Sequence, residues 1–187
     1  YNFSYYFNNP LDIFKIWQGG MSFHGALIGI ILGTYFFAKK IKINSFFFLD
    51  IIASVAPIGI FLGRIANFIN SELYGKPSNF FWSVIFPEVD RIARHPSQLY
   101  EALLEGVILF IILINIIYRK NLKTGLCSSL FMILYGFFRI IAEQFREPDI
   151  QIGYFFNLFS MGSVLSFFMI LIGLFIFMKI KGNEIYK

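Results

Sequence analysis

The sequence predicts an all-α protein, a polytopic bundle of transmembrane helices. Of the 187 residues 57% are hydrophobic, only 14% are charged, and the mean hydropathy is +0.68. Soluble domains are roughly half apolar and about a quarter charged, so the composition excludes an ordinary soluble domain. We find no internal repeat or linker and expect residues 1–187 to form one integral-membrane domain.

Five apolar stretches are each long enough for a membrane-spanning helix, since a hydrocarbon core of about 30 Å needs about 20 residues. Residues 1–20 mix aromatic and polar side chains with turn formers and are predicted to be an interfacial loop. A longer polar loop is predicted at about 71–97. The spans are predicted at about residues 21–38, 46–70, 98–118, 126–145 and 154–178.

Basic residues cluster at three of the predicted helix ends. Short loops rich in Lys and Arg remain in the cytoplasm, so we expect these three sites to be cytoplasmic. The N-terminal stretch, the segment 71–97 and the turn 147–152 are then expected outside. The basic residues are Lys39, Lys40, Lys42, Arg119, Lys120, Lys123, Lys179, Lys181 and Lys187.

The second span carries polar side chains on one face, because Arg64, Asn67 and Ser71 follow each other at steps of three and four. Charged groups inside a span are rare and usually face the bundle interior or a water-filled cavity. Arg64 is therefore a candidate functional residue. The alternative is that Arg64 only extends to the lipid headgroups or ties two helices together.

Other polar residues are expected at the same depth. Arg64 lies about 20 residues beyond the cytoplasmic lysines, or about 30 Å at the rise of an α-helix, which places it near the external end of its span. Stripes of this kind on several helices favour a shared polar cavity, although a structural ion-pair network is an alternative. The residues of this layer are His24, Arg64, His95, Gln98, Glu101, Glu105, Tyr135, Arg139, Glu143 and Arg146.

The chemistry of this layer suits a lipid phosphate, because the planar guanidinium group binds phosphate oxygens through two parallel bonds. The two histidines lack a zinc-ligand spacing, and we expect no metal and no cofactor. A lipid-modifying enzyme is the favoured class. A proton-coupled or small-solute transporter and a structural membrane protein are the alternatives, but the inner halves of the spans offer no evident polar path.

Four blocks of the sequence resemble the signature blocks of bacterial prolipoprotein diacylglyceryl transferases, in the same order. They are GGMSFHGALIG at 19–29, GRIANFINSELYG at 63–75, RHPSQLYEALLEG at 94–106 and YGFFRIIAEQFREPD at 135–149. Full-length members of that family have further N-terminal helices and a functional tyrosine there. Since the chain begins at Tyr1 without Met, we expect that these helices are missing from it.

The resemblance implies an activity, partners and a location. The diacylglyceryl group of phosphatidylglycerol would be transferred to the lipobox cysteine thiol of a prolipoprotein, forming a thioether and releasing glycerol phosphate. This is the first step of bacterial lipoprotein maturation. The protein would lie in the bacterial plasma (inner) membrane, with its active site towards the outer leaflet and no nucleic-acid partner.

The resemblance also implies roles for single residues, carried over by motif. Arg64 and Arg139 would hold the phosphate, and His24 is the first choice for the base that takes the thiol proton. Asn67 would bond a lipid hydroxyl or ester oxygen, and Gly75 would permit a turn. The remaining residues assigned to substrate binding are Glu72, His95, Tyr135 and Glu143, the two glutamates as orienting groups and His95 mainly as the residue that positions the third span.

Overall fold

The computed structural model of the chain describes residues 7–10, 12, 23–119, 122–147, 154–155 and 159–180. The chain divides into two compact units, Tyr1–Ser45 and Phe46–Lys187. The first unit contains helix α1, Phe23–Ile41, where the first span was predicted. Lys39 and Lys40 lie in its last turn, where cations interact favourably with the negative end of the helix dipole.

The second unit is built on four long helices, α2 to α5. Within the described residues these four helices are long and apolar enough to cross a membrane. The predicted fold class, a helical membrane bundle, is thereby confirmed, while the count of five spans depends on α1 as well and stays a prediction. The helices are α2 Ser45–Ile69, α3 Ser97–Ile117, α4 Leu126–Glu143 and α5 Met161–Lys179.

The outward surface of these helices is apolar. Leu62 of α2, Phe137 of α4 and Phe175 of α5 are 60%, 53% and 57% exposed. Soluble monomers do not expose apolar surface on this scale, so these side chains face lipid. The core between α3 and α4 is formed by Leu109, Leu113 and Cys127, all fully buried.

Helix α3 is not a regular α-helix, because its segment Ala102–Ile108 is π-helical. Single π turns inside α-helices are frequent at functional sites. Gly106 lies in this segment, and a β-carbon added to it would sit 2.7 Å from Cβ and 3.0 Å from Cα of Phe61. The absence of a side chain at Gly106 therefore lets α2 approach α3 closely, one turn before Arg64.

Helices α4 and α5 also pack through small residues. A β-carbon added at Gly136 would lie 2.8 Å from the backbone oxygen of Ser166, and one added at Gly173 would lie 3.0 Å from that of Ser129. Close approach of backbones at small residues stabilises helix pairs in membranes, where no hydrophobic force acts between helices. These glycines hold α4 against α5 along most of its length.

Asp50 caps helix α4 from the neighbouring helix α2. Its fully buried carboxylate accepts hydrogen bonds from the backbone N–H groups of Gly125 and Ser128, both 2.7 Å, and a further short one from the Ser128 hydroxyl. The first N–H groups of a helix lack partners within it, and a negative charge there also complements the helix dipole. Asp50 therefore joins the beginnings of α2 and α4.

The connections contain two short antiparallel hairpins. Strand β1, Val84–Ile85, pairs with β2, Ala93–Arg94, inside the segment 71–97. Strand β3, Tyr154–Phe155, pairs with β4, Phe159–Ser160. The predicted start of the fifth span at about residue 154 was therefore wrong: α5 begins at Met161, where the Ser160 hydroxyl caps it by accepting a hydrogen bond from the N–H of Ser163.

We expect Asp50→Ala to lower the free energy of unfolding by about 2 kcal/mol, because it removes a helix cap and leaves buried donors without an acceptor. Thermal unfolding in detergent micelles measures the change. Ser128→Ala, which removes only the hydroxyl bond, is the matched control and should cost about half as much. Equal effects of the two substitutions would contradict a capping role for the carboxylate.

Candidate active site

Two fully buried glutamates on α3 each bridge the same two arginines. Glu101 Oε2 lies 2.8 Å from Arg64 Nε, and Glu101 Oε1 lies 2.9 Å from Arg139 Nη1. Glu105 contacts the same two arginines. Its Oε2 lies 3.3 Å from Arg64 Nη2, and its Oε1 lies 3.6 Å from Arg139 Nη1. These four residues, which we call the arginine–glutamate box, link α2, α3 and α4.

Two more charged residues, one in the last turn of α4 and one just beyond it, adjoin the box. Arg139 Nη2 lies 2.7 Å from Glu143 Oε2, one turn further along the helix, and Arg146 Nη1 lies 3.9 Å from Glu101 Oε1. A β-carbon added at Gly162, in the first turn of α5, would sit 2.9 Å from both carboxylate oxygens of Glu143. Glu143 therefore lies close to the positive end of the α5 dipole, which favours a negative charge.

The arginines form the accessible side of the box. The side chains of Glu101 and Glu105 are 0% exposed, whereas those of Arg64 and Arg139 are 17% and 9% exposed. Among the described residues Arg64 Nη1 has no hydrogen-bonding or ion-pair partner. A ligand that reaches the box therefore meets guanidinium N–H groups, with the carboxylates behind them.

Several groups of the box and of the adjoining Glu143 are close to a charged partner without an aligned hydrogen bond. Within the part of the chain that the structure describes, this holds for Arg139 Nη1, both oxygens of Glu101, Glu105 Oε1 and Glu143 Oε2. Their contacts at 2.7–3.6 Å are ion pairs rather than directed hydrogen bonds. Buried polar groups normally have hydrogen-bond partners, so the site retains unused hydrogen-bonding capacity.

The end of α2, the start of α3 and the end of α4 are tied together by hydrogen bonds to backbone oxygens. Gly75 N–H donates to the oxygen of His95 at 3.1 Å, and Lys76 N–H donates to the oxygen of Phe145 at 2.9 Å. The first turn of α3 adds two bonds to the chain leaving α2, from Ser97 Oγ to the oxygen of Leu73 and from Gln98 Nε2 to the oxygen of Glu72. We call these four hydrogen bonds the seam. They fix the ends of the helices that carry the box.

Gly75 lies at the centre of this seam. We expected a glycine there because of a turn, but close contacts with two backbone oxygens require it instead. A β-carbon on it would collide with the backbone oxygen of His95 and lie 2.7 Å from that of Phe145. The left-handed residues of the segment are instead Ser71 and Leu73, with φ of 58° and 52°. Non-glycine residues adopt this region at a cost of about 1 kcal/mol or more each.

Arg94 is the most connected side chain of the segment before α3. Its guanidinium donates to Asp90 at 2.6 Å and to the oxygen of Gly75 at 3.1 Å, pairs with Glu147 at 3.4 Å and covers the Tyr74 ring. The hydrogen bond to Asp90 raises the pKa of Arg94, and the bond from Arg94 lowers the pKa of the Asp90 carboxyl. Arg94 therefore stays charged, and its contacts with Asp90, Gly75 and Glu147 stabilise the segment that forms the seam.

His95 is held in place by both its backbone and its ring. Its Nδ1 lies 3.1 Å from the Tyr100 hydroxyl, and its ring packs edge-on against Phe145. Burial lowers the pKa of His95, so the neutral imidazole predominates at pH 7. Its backbone bonds join the segment after α2 to the start of α3.

The other residues singled out from the sequence occupy different places. Glu72 is exposed, and the described residues give its carboxylate no ion-pair partner; its expected role of orienting the arginines or the histidine stays a prediction. Asn67 is half-buried, and its backbone oxygen accepts from the N–H of Glu72 at 2.8 Å. Tyr135 lies one turn before Arg139, stacked on Phe131. The His24 side chain lies outside the described residues.

The sequence predicted that Glu101 and Glu105 lie in the polar layer, but no role was predicted for them. Their spacing of four residues on one helix could have indicated that they act together. Sequence analysis overlooked Asp50, the single acidic residue in an otherwise apolar stretch, and Arg94. For Asp50 the available signal was Gly125, the N-cap residue of α4. It has no side chain to cap the helix, so a capping group must come from elsewhere.

Comparison with known proteins identifies the family. The family model for prolipoprotein diacylglyceryl transferase matches residues 1–179. The chain belongs to the prolipoprotein diacylglyceryl transferase family. The resemblance inferred from the four sequence blocks is confirmed, the protein is a transferase of this family, and the transporter alternative is not supported.

Several relatives named phosphatidylglycerol–prolipoprotein diacylglyceryl transferase align over most of the chain. The protein of Rickettsia bellii (strain OSU 85-389) is 51% identical over 189 residues, covering 100% of this chain and 72% of the relative. The Rickettsia typhi protein is 53% identical over 185 residues, covering 98% and 71%. The Rickettsia felis protein is 55% identical over 175 residues, covering 92% and 68%.

We expect Glu101→Gln to destabilise this diacylglyceryl transferase by about 3 kcal/mol, because removing one partner of a buried ion pair leaves uncompensated charge. The amide would also turn an N–H₂ group towards a guanidinium group. Thermal unfolding in detergent tests this. Glu88→Gln, at an exposed carboxylate, is the matched control and should shift stability by less than about 0.5 kcal/mol; equal effects would remove Glu101 as the centre of the box.

Proposed function

We propose that this protein transfers the diacylglyceryl group of phosphatidylglycerol to the cysteine thiol of a prolipoprotein. The observation that carries the proposal is the pair of arginines, Arg64 and Arg139, held by the same two buried carboxylates with their guanidinium groups on the accessible side. The names of the Rickettsia relatives specify the same donor lipid and acceptor. The free cysteine of the prolipoprotein lipobox is the acceptor thiol of the proposal.

The reaction is an alkylation of sulfur. The thiolate attacks the diacylglyceryl carbon that carries the phosphate, a C–S bond forms, and the C–O bond to the phosphate breaks. The bonding electrons leave with glycerol phosphate, and the thiol proton passes to a base. A free thiol has a pKa of about 8.5, so at neutral pH a base is needed to form the thiolate.

The arginines stabilise the charge that grows on the leaving phosphate. Donors that are fixed before the reaction lower the barrier most, because they need no reorganisation as charge develops. Arg64 and Arg139 are fixed in this way by Glu101 and Glu105, and Glu143 holds the second side of Arg139. Asn67 is proposed to bond a hydroxyl or ester oxygen of the lipid, and Tyr135 to line the same space.

His24 is proposed as the base and His95 as a positioning residue. The hydrogen bond between His95 Nδ1 and the Tyr100 hydroxyl, together with the backbone bonds of His95, supports a structural role for this histidine. Glu72, exposed at the beginning of the segment that follows α2, is proposed to contact the polar part of a substrate rather than an arginine.

The test of the proposal is a transfer assay with purified full-length protein, phosphatidylglycerol vesicles and a lipobox peptide. Mass spectrometry should detect a diacylglyceryl thioether on the peptide cysteine, with glycerol phosphate formed in equal amount. A peptide in which the lipobox cysteine is replaced by serine is the control. Absence of the thioether from an otherwise folded, lipid-bound protein would reject the proposal.

We further propose that the protein lies in the bacterial plasma membrane with the box towards the outer leaflet, following the distribution of basic residues. Glu88→Cys should then react with an impermeant maleimide in intact cells and Lys123→Cys only after permeabilisation. Both positions are exposed, and Cys127, the only native cysteine, is fully buried. Labelling of both positions from the same side would overturn the orientation.

We expect Arg64→Lys and Arg139→Lys each to lose most transferase activity although the charge is kept. A compact ammonium group cannot contact two carboxylates and a phosphate in the geometry of the planar fork. The loss of one charged hydrogen bond in the transition state corresponds to about 3 kcal/mol, or about a hundredfold in rate. The transfer assay measures the effect directly.

The control for these substitutions is Arg91→Lys, at an exposed arginine of the loop segment, which should leave the rate unchanged. Lipid binding of each variant is measured separately. Near-normal turnover of Arg64→Lys or Arg139→Lys would reduce that arginine to a structural role.

For His24→Gln we expect a strongly reduced rate whose deficit shrinks as the pH approaches the thiol pKa of about 8.5, because solvent then forms the thiolate without a base. His95→Gln should show no such recovery, and its loss should follow stability or lipid affinity. A rate-versus-pH series on both variants measures the difference. A deficit of His24→Gln that stays constant with pH would remove His24 as the base.

A further inference from the structure

Three consecutive aromatic residues form an exposed surface in the segment between α2 and α3. Phe80, Phe81 and Trp82 are 57%, 91% and 45% exposed. We call these three residues the aromatic edge. They lie within the eleven residues 77–87, which contain no Asp, Glu, Lys or Arg. The whole segment was predicted to be polar, but the structure shows that this part of it is apolar.

The aromatic edge is a fixed surface rather than three independent side chains. The rings of Phe80 and Trp82 stack at 5.2 Å with an interplanar angle of 10°, and the ring of Phe81 meets Trp82 edge-on at 4.4 Å. Phe80 also packs against the ring of His95 at 5.5 Å. A fixed apolar surface of this kind would be unfavourable if it were exposed to water.

A hydrogen bond sets the depth of the aromatic edge. Trp82 Nε1 donates to the Tyr100 hydroxyl at 2.6 Å, and Tyr100 is the fourth residue of α3. The edge therefore lies at the level where this membrane helix begins. Trp and Tyr concentrate at this level in membrane proteins, because their rings are apolar while their N–H and O–H groups need a polar partner.

We propose that Phe80, Phe81 and Trp82 insert into the boundary between headgroups and acyl chains of the bilayer at this end of the bundle. The Trp82 N–H is already satisfied by Tyr100, so the indole ring can enter the apolar layer without leaving a donor unpaired. Because the seam joins His95 to Gly75, the insertion anchors the same segment that holds the ends of α2 and α3.

Tryptophan fluorescence tests the insertion, since Trp17 and Trp82 are the only tryptophans of the chain. In Trp17→Phe protein reconstituted into phosphatidylcholine vesicles, Trp82 should show a blue-shifted emission. Acyl chains brominated near the headgroup should quench it more than chains brominated near their ends, and aqueous iodide should quench it weakly. Strong iodide quenching without quenching by brominated lipid would overturn the proposal.

Phe81→Asp in the same background should shift the Trp82 emission to the red and increase quenching by iodide, while circular dichroism shows unchanged helix content because Phe81 is 91% exposed. Tyr118→Asp, 83% exposed at the opposite end of α3, is the matched control and should leave Trp82 unaffected. If a lipobox peptide alters the Trp82 emission and brominated lipid does not, the edge binds peptide and the membrane proposal is wrong. The readout is independent of transferase activity.

Discussion

The ion pairs between the buried glutamates of α3 and the arginines of α2 and α4 are the constraint on which the rest of this end of the bundle depends. Taking a carboxylate out of water costs several kcal/mol, which only close opposite charges can offset. Glu101 and Glu105 are fully buried and therefore require Arg64 and Arg139 in place. The three helices cannot separate or rotate at this level without exposing an unpaired charge to an apolar surrounding.

The same constraint holds the arginines in fixed positions. The six charged residues at this level, three arginines and three glutamates, sum to no net charge, so the phosphate of the proposed substrate would not be attracted by excess positive charge. It would meet N–H groups on the accessible side, with the carboxylates behind them. A site arranged in this way contributes preorganised donors rather than bulk charge, and such donors are the larger contribution to stabilising a transition state.

The two ends of the bundle are held by different devices. At the beginning of α4 a single carboxylate, Asp50, replaces the missing partners of the helix backbone. At the C-terminal end of α4 the backbone of the segment around Gly75 joins the end of α2, the start of α3 and the end of α4, and no side chain fits at Gly75. Between the ends, close glycine contacts such as Gly106 with Phe61 set the distance between helices.

The sequence by itself determined the class of fold and the alignment of polar residues, because hydrophobic length and helical periodicity are local properties. It placed Arg64, Arg139 and Glu143 in one layer and predicted α2, α3 and α4 close to their observed bounds, whereas the start of α5 was predicted too early. Only the tertiary structure decided which carboxylate meets which arginine, because the pairing depends on how closely the helices approach one another. That approach involves contacts between different helices, such as Gly106 with Phe61, and the π turn of α3. The bonds of Asp50, Gly75 and Trp82 likewise join residues 18 to 78 positions apart, and no periodicity within one helix encodes them.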